Sequence, residues 1–290
     1  MQLAGDTVGK LKSGSREHRD LMCGEFTRTF SSYEARDIVW PDLSADELER
    51  LRGMPFWKEA LETEVIATRR IKSMVEAERD PVVREAIAMQ AYEEGRHAAL
   101  FTSLMNHYGI EVPPDLDGYT ERGPEWGFMR MGYGEVFDIF FAFGLFKLAA
   151  EAGFFPPTLT EIFERLIAEE ARHIIFFSNW AMYGGANAGL MAKPWFTIRR
   201  ASALAVQAFG RVHTALQMAT GGDVEKADDF VIQAPGQLVS EDLTLRKFIE
   251  TCVSENDRRM ARFDPRLPRP TLLPKMMRMV LHAIPRGAES

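Results

Sequence analysis

Along most of this chain apolar residues recur every three or four positions, and no alternating run of β-branched residues ends in a hairpin dipeptide. The pattern predicts an all-α protein. A first helix is expected over residues 16 to about 38, closed by the Trp40-Pro41 step. A second spans about 55–79, with Trp57, Leu61, Ala67 or Thr68, Ile71 and Val75 on one face. Asp80 as N-cap and Pro81 in the first turn start a third, which runs to about 108 and stops at Gly109. The short connection makes the second and third helices antiparallel neighbours.

Residues 110–133 carry Gly, Pro and charge and read as a crossover. The next helix, from 134 to about 152, is apolar nearly all round and is expected at the centre of the molecule. Phe154-Phe155-Pro156-Pro157 breaks it, and Thr158 with Glu161 forms a capping box that opens a helix to about 183. Two hairpins joined by one long crossover make a four-helix bundle over 55–183. Helices at about 194–219 and 238–262, and the basic amphipathic stretch 274–285, are expected to pack around it. No composition break divides residues 1–290, so they read as a single domain, with 184–290 as additional packing helices and tail.

Composition narrows the function. Lys+Arg number 35 against 42 Asp+Glu, a net charge of −7, and no long basic run appears, which argues against a nucleic-acid partner. No stretch reaches the length of a membrane span, and the N-terminal residues lack the apolar core of an export signal. Two cysteines, Cys23 and Cys252, exclude a disulfide framework and a zinc-ribbon or iron–sulfur site. A soluble protein of the cytoplasm is the expectation. Twenty Phe and 15 Met suit deformable apolar interiors or pockets.

The strongest chemical signal is a repeated pentapeptide, Glu93-Glu94-Gly95-Arg96-His97 and Glu169-Glu170-Ala171-Arg172-His173. Spacing i, i+3 puts Glu94 and His97 on one helix face, shared with Val83, Ile87, Phe101 and Leu104. Glu170 and His173 share theirs with Phe163, Leu166, Phe177 and Trp180. A solvated face with paired charges would explain one such copy, but not two copies on apolar stripes. Burying these groups uncompensated would cost several kcal/mol per ion, so a metal is the economical reading.

A bundle site needs a carboxylate from each remaining helix. Counting outward from the turn near Asp80 sets Glu64 opposite Glu94, whereas Glu62 falls among polar neighbours. On the Phe-rich helix the choice lies between Glu135 and Asp138. Asp138 fits an uninterrupted hairpin better, and a π-bulge would bring Glu135 level. Glu135 is placed first because Glu can chelate or bridge where Asp is short, with Asp138 as ligand or support. His18, His107 and His282 are read as solvent-side, and His213 as a non-ligand.

These motifs resemble those of the ferritin-like di-iron carboxylate superfamily over about residues 55–183, and are most similar to the bacterial multicomponent monooxygenase hydroxylases. The resemblance implies a ferritin-like four-helix bundle holding two iron ions. It gives Glu64, Glu94 and His97 to one iron and Glu135, Glu170 and His173 to the other, with Glu94 and Glu170 bridging. It further implies that Glu93 orients His173, that Glu169 orients His97, and that Arg96 and Arg172 balance the buried acids. Phe101 and Phe177 stand four positions after the motif histidines, which excludes the radical tyrosine of ribonucleotide reductase small subunits. The threonine of the hydroxylases one turn beyond the third-helix ligand is absent, as is the extra histidine of the N-oxygenase branch, where Leu166 stands.

The function expected is an O₂-dependent non-haem di-iron oxidase or oxygenase. Its substrate is a fairly apolar small molecule and the reaction hydroxylation, desaturation or heteroatom oxidation. Phe137, Phe140, Phe141, Phe143 and Phe146 are candidate pocket walls, or equally plain core. No flavin or nicotinamide motif is present, so electrons come from a separate ferredoxin or reductase. A homodimer is allowed. The rival is a metal-handling or oxidant-defence protein, a ferroxidase or manganese catalase, since Mn accepts the same ligands.

Overall fold

The computed structural model describes residues 11–54, 56–113, 123–219 and 244–284, with side chains of 212–219 excepted. The described residues form nine α-helices and no strand. They are α1 (Arg16–Arg28), α2 (Ala45–Gly53), α3 (Trp57–Ala77), α4 (Pro81–Tyr108), α5 (Pro124–Glu151), α6 (Pro157–Asn187), α7 (Lys193–Ala219), α8 (Leu245–Met260) and α9 (Leu272–Ala283). None of them is long and apolar enough to cross a membrane.

Local chemistry explains the best-defined ends. Asp80 accepts hydrogen bonds from the Val82 and Val83 amides, Pro81 occupies the first turn, and Gly109 closes α4 in the left-handed region at φ 65°. Other boundaries answer to tertiary partners. The first helix stops at Arg28, ten residues short of the expected end, and a 3-10 turn follows at Ala35–Asp37. Carbonyls freed there are taken up elsewhere: Arg172 donates to Phe26 O at 2.6 Å, and Arg96 to Ser31 O at 2.8 Å and Tyr33 O at 3.1 Å. The α2 helix, with a Ser44–Glu47 capping box, was not anticipated.

Helix α5 begins at Pro124, inside the expected crossover, because Phe128, Met129, Met131 and Tyr133 are buried. Phe128 lies edge-on to Trp180 with ring centres 4.7 Å apart. Burial there overrides the Gly and Pro content. Helix α6 opens at Pro157 with no side-chain cap, so the Thr158–Glu161 box does not form; a proline in the first turn lacks the N–H that a cap would satisfy. The expected helix at 238–262 is seen from Leu245; residues 238–243 lie outside the described residues, as do His213's side chain and the tail beyond 284.

Helices α3–α6 pack as a bundle, with α5 against α3, α6, α7 and α8, and α1 laid across α4 and α6. The expectation of a central, all-round apolar α5 therefore holds, and several of its phenylalanines are core packed against the added helices. Phe137 and Phe140 pack with Ile249, Cys252, Val253 and Leu273 of α8 and α9. Phe141 stacks on Phe248, and Phe143 lies under the Arg259 guanidinium. Gly144 makes this packing close, since a Cβ there would sit 2.3 Å from Cys252 Sγ. His18 is a second correction. It is fully buried, its Nδ1 accepting from the Gly14 amide at 3.1 Å and its Nε2 lying 2.9 Å from Asn179 Oδ1.

Candidate metal centre

The two pentapeptides lie side by side on antiparallel α4 and α6 and exchange partners across the gap. His97 Nε2 lies 2.8 Å from Glu169 Oε2, and His173 Nε2 lies 3.0 Å from Glu93 Oε2. Each imidazole is thus held by the acid of the other helix, which fixes its outer nitrogen as the donor and turns Nδ1 inward. Arg96 donates to Glu169 at 2.5 Å and Arg172 to Glu93 at 2.6 Å, so each acid also carries a cation from the opposite helix. All of these side chains are buried.

The inward atoms meet carboxylates. His97 Nδ1 is 3.0 Å from Glu170 Oε1, 3.6 Å from Glu64 Oε2 and 3.7 Å from Glu94 Oε2. His173 Nδ1 is 2.9 Å from Glu94 Oε1 and 3.5 Å from Glu170 Oε2. Two overlapping donor groups result, Glu64–Glu94–His97–Glu170 and Glu94–Glu135–His173, each with atoms within 4.8 Å of one another. Glu94 belongs to both, and Glu170 reaches both histidines.

Asp138 does not join them. Its carboxylate is bound by the Arg211 guanidinium of α7, through Nε at 2.7 Å and through Nη2. Helix α5 is continuous α-helix past this point, with no π turn. Glu135, three residues earlier on α5, instead brings a carboxylate oxygen to Glu94 and His173, so its azimuth is the inward one.

The electrostatics separate the acids. Burial, reinforced by Glu94 and Glu170, pushes Glu135 well above the usual carboxylate range; burial does the same to Glu64 against the pull of His97. Burial would also raise Glu94 and Glu170, but His173 and His97 outweigh it and hold both low. Burial would push the imidazoles down; the carboxylates around them, Glu169 foremost for His97 and Glu94 for His173, hold both well above the ordinary range. The shifts run in opposite directions within one cluster: Glu94 and Glu170 are held low by the imidazoles, while Glu64 and Glu135 are raised by burial.

Four of its atoms are nevertheless buried without a hydrogen bond among the described residues: Glu94 Oε1, Glu135 Oε2, His97 Nδ1 and His173 Nδ1. The histidine nitrogens approach oxygens closely, but off the line that an N–H···O bond requires. Side chains that crowd a common point without bonding one another are what a metal would satisfy. The charge agrees, because four ionised carboxylates with neutral imidazoles match two divalent cations. The residues present fit a dimetal centre.

Two residues near the site escaped the sequence reading. Tyr33, in the segment after α1, donates to Glu169 Oε2 at 3.2 Å, and the Arg96 guanidinium carbon lies over its ring, 3.9 Å from the ring centre; nothing local distinguishes it. Burial, then Glu169, pushes its hydroxyl up to about 12. Gln90 is fully buried one turn before Glu94, and it did carry a signal, as a neutral polar residue on a stripe otherwise made of apolar residues and the Glu94–His97 pair.

In comparisons with protein-family models, with curated proteins and with solved structures, no match to this chain was found.

Proposed function

We propose that this chain is a ferritin-like di-iron carboxylate protein that uses O₂ to oxidise a fairly apolar small molecule, with electrons from a separate ferredoxin or reductase. The observation that carries the reading is the set of four buried donor atoms that converge from α4, α5 and α6 without a hydrogen bond among the described residues, with Glu64 beside them from α3. Glu64 and His97 would hold one iron, Glu135 and His173 the other, and Glu94 and Glu170 would lie between them. The bound irons would supply the redox capacity for O₂ activation.

The chain's own residues set the conditions. Glu169 and Glu93 hold the imidazoles so that each Nδ1 presents a lone pair inward once its proton leaves. Arg96 and Arg172 pair with those two acids, Glu169 and Glu93, in a buried setting. Phe101 and Phe177, both buried one turn beyond the histidines, keep water from the cluster and offer no oxidisable hydroxyl there.

The test is elemental analysis of protein purified after iron supplementation, with O₂ uptake measured under a chemical reductant. About two irons per chain in the wild type, lost in Glu94→Ala and His173→Ala, support the reading. Manganese in their place favours the oxidant-defence alternative, and no metal in any preparation refutes both.

A further inference from the structure

The α4 stripe Val83, Ile87, Gln90, Glu94, His97, Phe101, Leu104 is buried throughout. Gln90 is 0% exposed, and neither its amide nitrogen nor its amide oxygen has a hydrogen-bond partner among the described residues. An amide offers two donors and one carbonyl acceptor, and leaving both ends unpaired costs about 1–3 kcal/mol for each group. Such a side chain in a packed core needs something to bind.

Its position says what. Along α4 the order Gln90, Glu93, Glu94, His97 runs from the half of the cluster that contains His173 toward the half that contains His97, because Glu93 is bonded to His173 and His97 to Glu169. Gln90 therefore lies on the His173 side, about 6 Å along the helix axis from Glu94. The two halves share Glu94, and Glu170 reaches both histidines; Glu64 and His97 mark one half, Glu135 and His173 the other. Glu135 Oε2 and His173 Nδ1, on the Gln90 side, make no hydrogen bond among the described residues.

We propose that Gln90 is a ligand-positioning residue: its amide hydrogen-bonds a small exogenous ligand that enters on its own side of the cluster, beside Glu94, Glu135 and His173. The ligand class is a small acceptor-bearing molecule or anion, to which the amide N–H groups donate. This rests on the dimetal reading, and the test keeps the two apart.

The probe is sodium azide, titrated into iron-loaded protein and followed by the absorption that develops on binding. The variants are Gln90→Met, which removes the amide at similar volume, and Gln90→Asn, which keeps it but withdraws it by one methylene. Metal content and thermal melting are recorded for each. With two irons retained, azide affinity is expected to fall about tenfold in Gln90→Met, the worth of one hydrogen bond, and to fall also in Gln90→Asn. Should Gln90→Met fail to fold, Gln90→Asn alone decides.

Unchanged azide affinity in iron-loaded variants overturns the proposal and leaves Gln90 as the partner of a structural water. Failure of iron-loaded wild type to bind azide overturns it as well. Absence of metal from the wild type overturns it together with the dimetal reading, a result distinguishable from the other two.

Discussion

Glu93 of α4 holds His173 of α6 by a 3.0 Å contact to Nε2, and so governs an imidazole that its own helix does not carry. Burial would raise this acid, but His173 and Arg172 hold it low. Removing it frees the ring to turn and leaves the Arg172 guanidinium without this carboxylate. Glu93→Ala is expected to weaken iron binding about 10- to 100-fold while Glu94 and His173 stay in place. Competition against a chelator of known affinity measures this, and a wild-type affinity would show that the ring is fixed by packing alone.

Glu135 and Asp138 lie less than one turn apart on α5 and should behave oppositely. Glu135→Ala removes a convergent donor, and about one iron per chain should be lost. Asp138→Asn disturbs only the partly exposed pair with Arg211, whose side-chain exposures are 30% and 13%, so full iron content and a stability loss of no more than about 1 kcal/mol are expected. Elemental analysis and urea denaturation of both variants provide the contrast; equal metal loss in the two would return Asp138 to the site.

Iron binding should release protons, and its affinity should fall as the pH is lowered. The raised imidazoles and the raised Glu64 and Glu135 carboxyls must all lose protons before they can donate to metal. For the metal-free fold the sign follows from the same directions. A group whose folded value lies above its unfolded one contributes stability below the unfolded value and loses it as the pH rises through the folded one. For His97 and His173 that loss begins above the ordinary 6.5, and for Glu64 and Glu135 above 4.5. Glu94 and Glu170, held low, act on the acid side instead. Metal-free protein should thus lose melting temperature on the alkaline side, and iron-loaded protein should lose less. A flat alkaline limb in the metal-free protein would contradict this.

Gly132 sets how closely α5 approaches α6. A Cβ there would fall 2.2 Å from the Phe177 ring, which is fully buried and wedged between Phe128, Tyr133 and Trp180. Gly132→Ala should therefore destabilise the protein by about 1–3 kcal/mol through overpacking, despite the better helix propensity of alanine. Denaturant unfolding reads this directly, and a more stable variant would mean that the ring has room to shift.

Much of the architecture was legible along the chain because its causes are local. Asp80, Pro81 and Gly109 define α4 through cap and turn chemistry, and the three-and-four spacing of apolar residues marks the buried faces of α3, α4 and α6. The same spacing places Glu94 with His97 and Glu170 with His173, because i, i+3 geometry is a property of a single helix. Residues such as Glu64 became visible by counting back from a short turn. All of this requires only one helix, or one hairpin, at a time.

What remained hidden depends on contacts between segments distant in sequence. The end of α1 is decided by Arg96 and Arg172 reaching its carbonyls from other helices. Helix α5 starts early because Phe128 and its neighbours meet α6. His18 is buried because Asn179, far along the chain, receives its ring. Asp138 turns outward because Arg211 on α7 lies there to meet it, and Phe137, Phe140 and Phe141 of α5 pack on α8 and α9. Periodicity reports which side of a helix is apolar. Only the tertiary structure decides what that side faces, since azimuth, reach and partner charge are set by helices that no local pattern records.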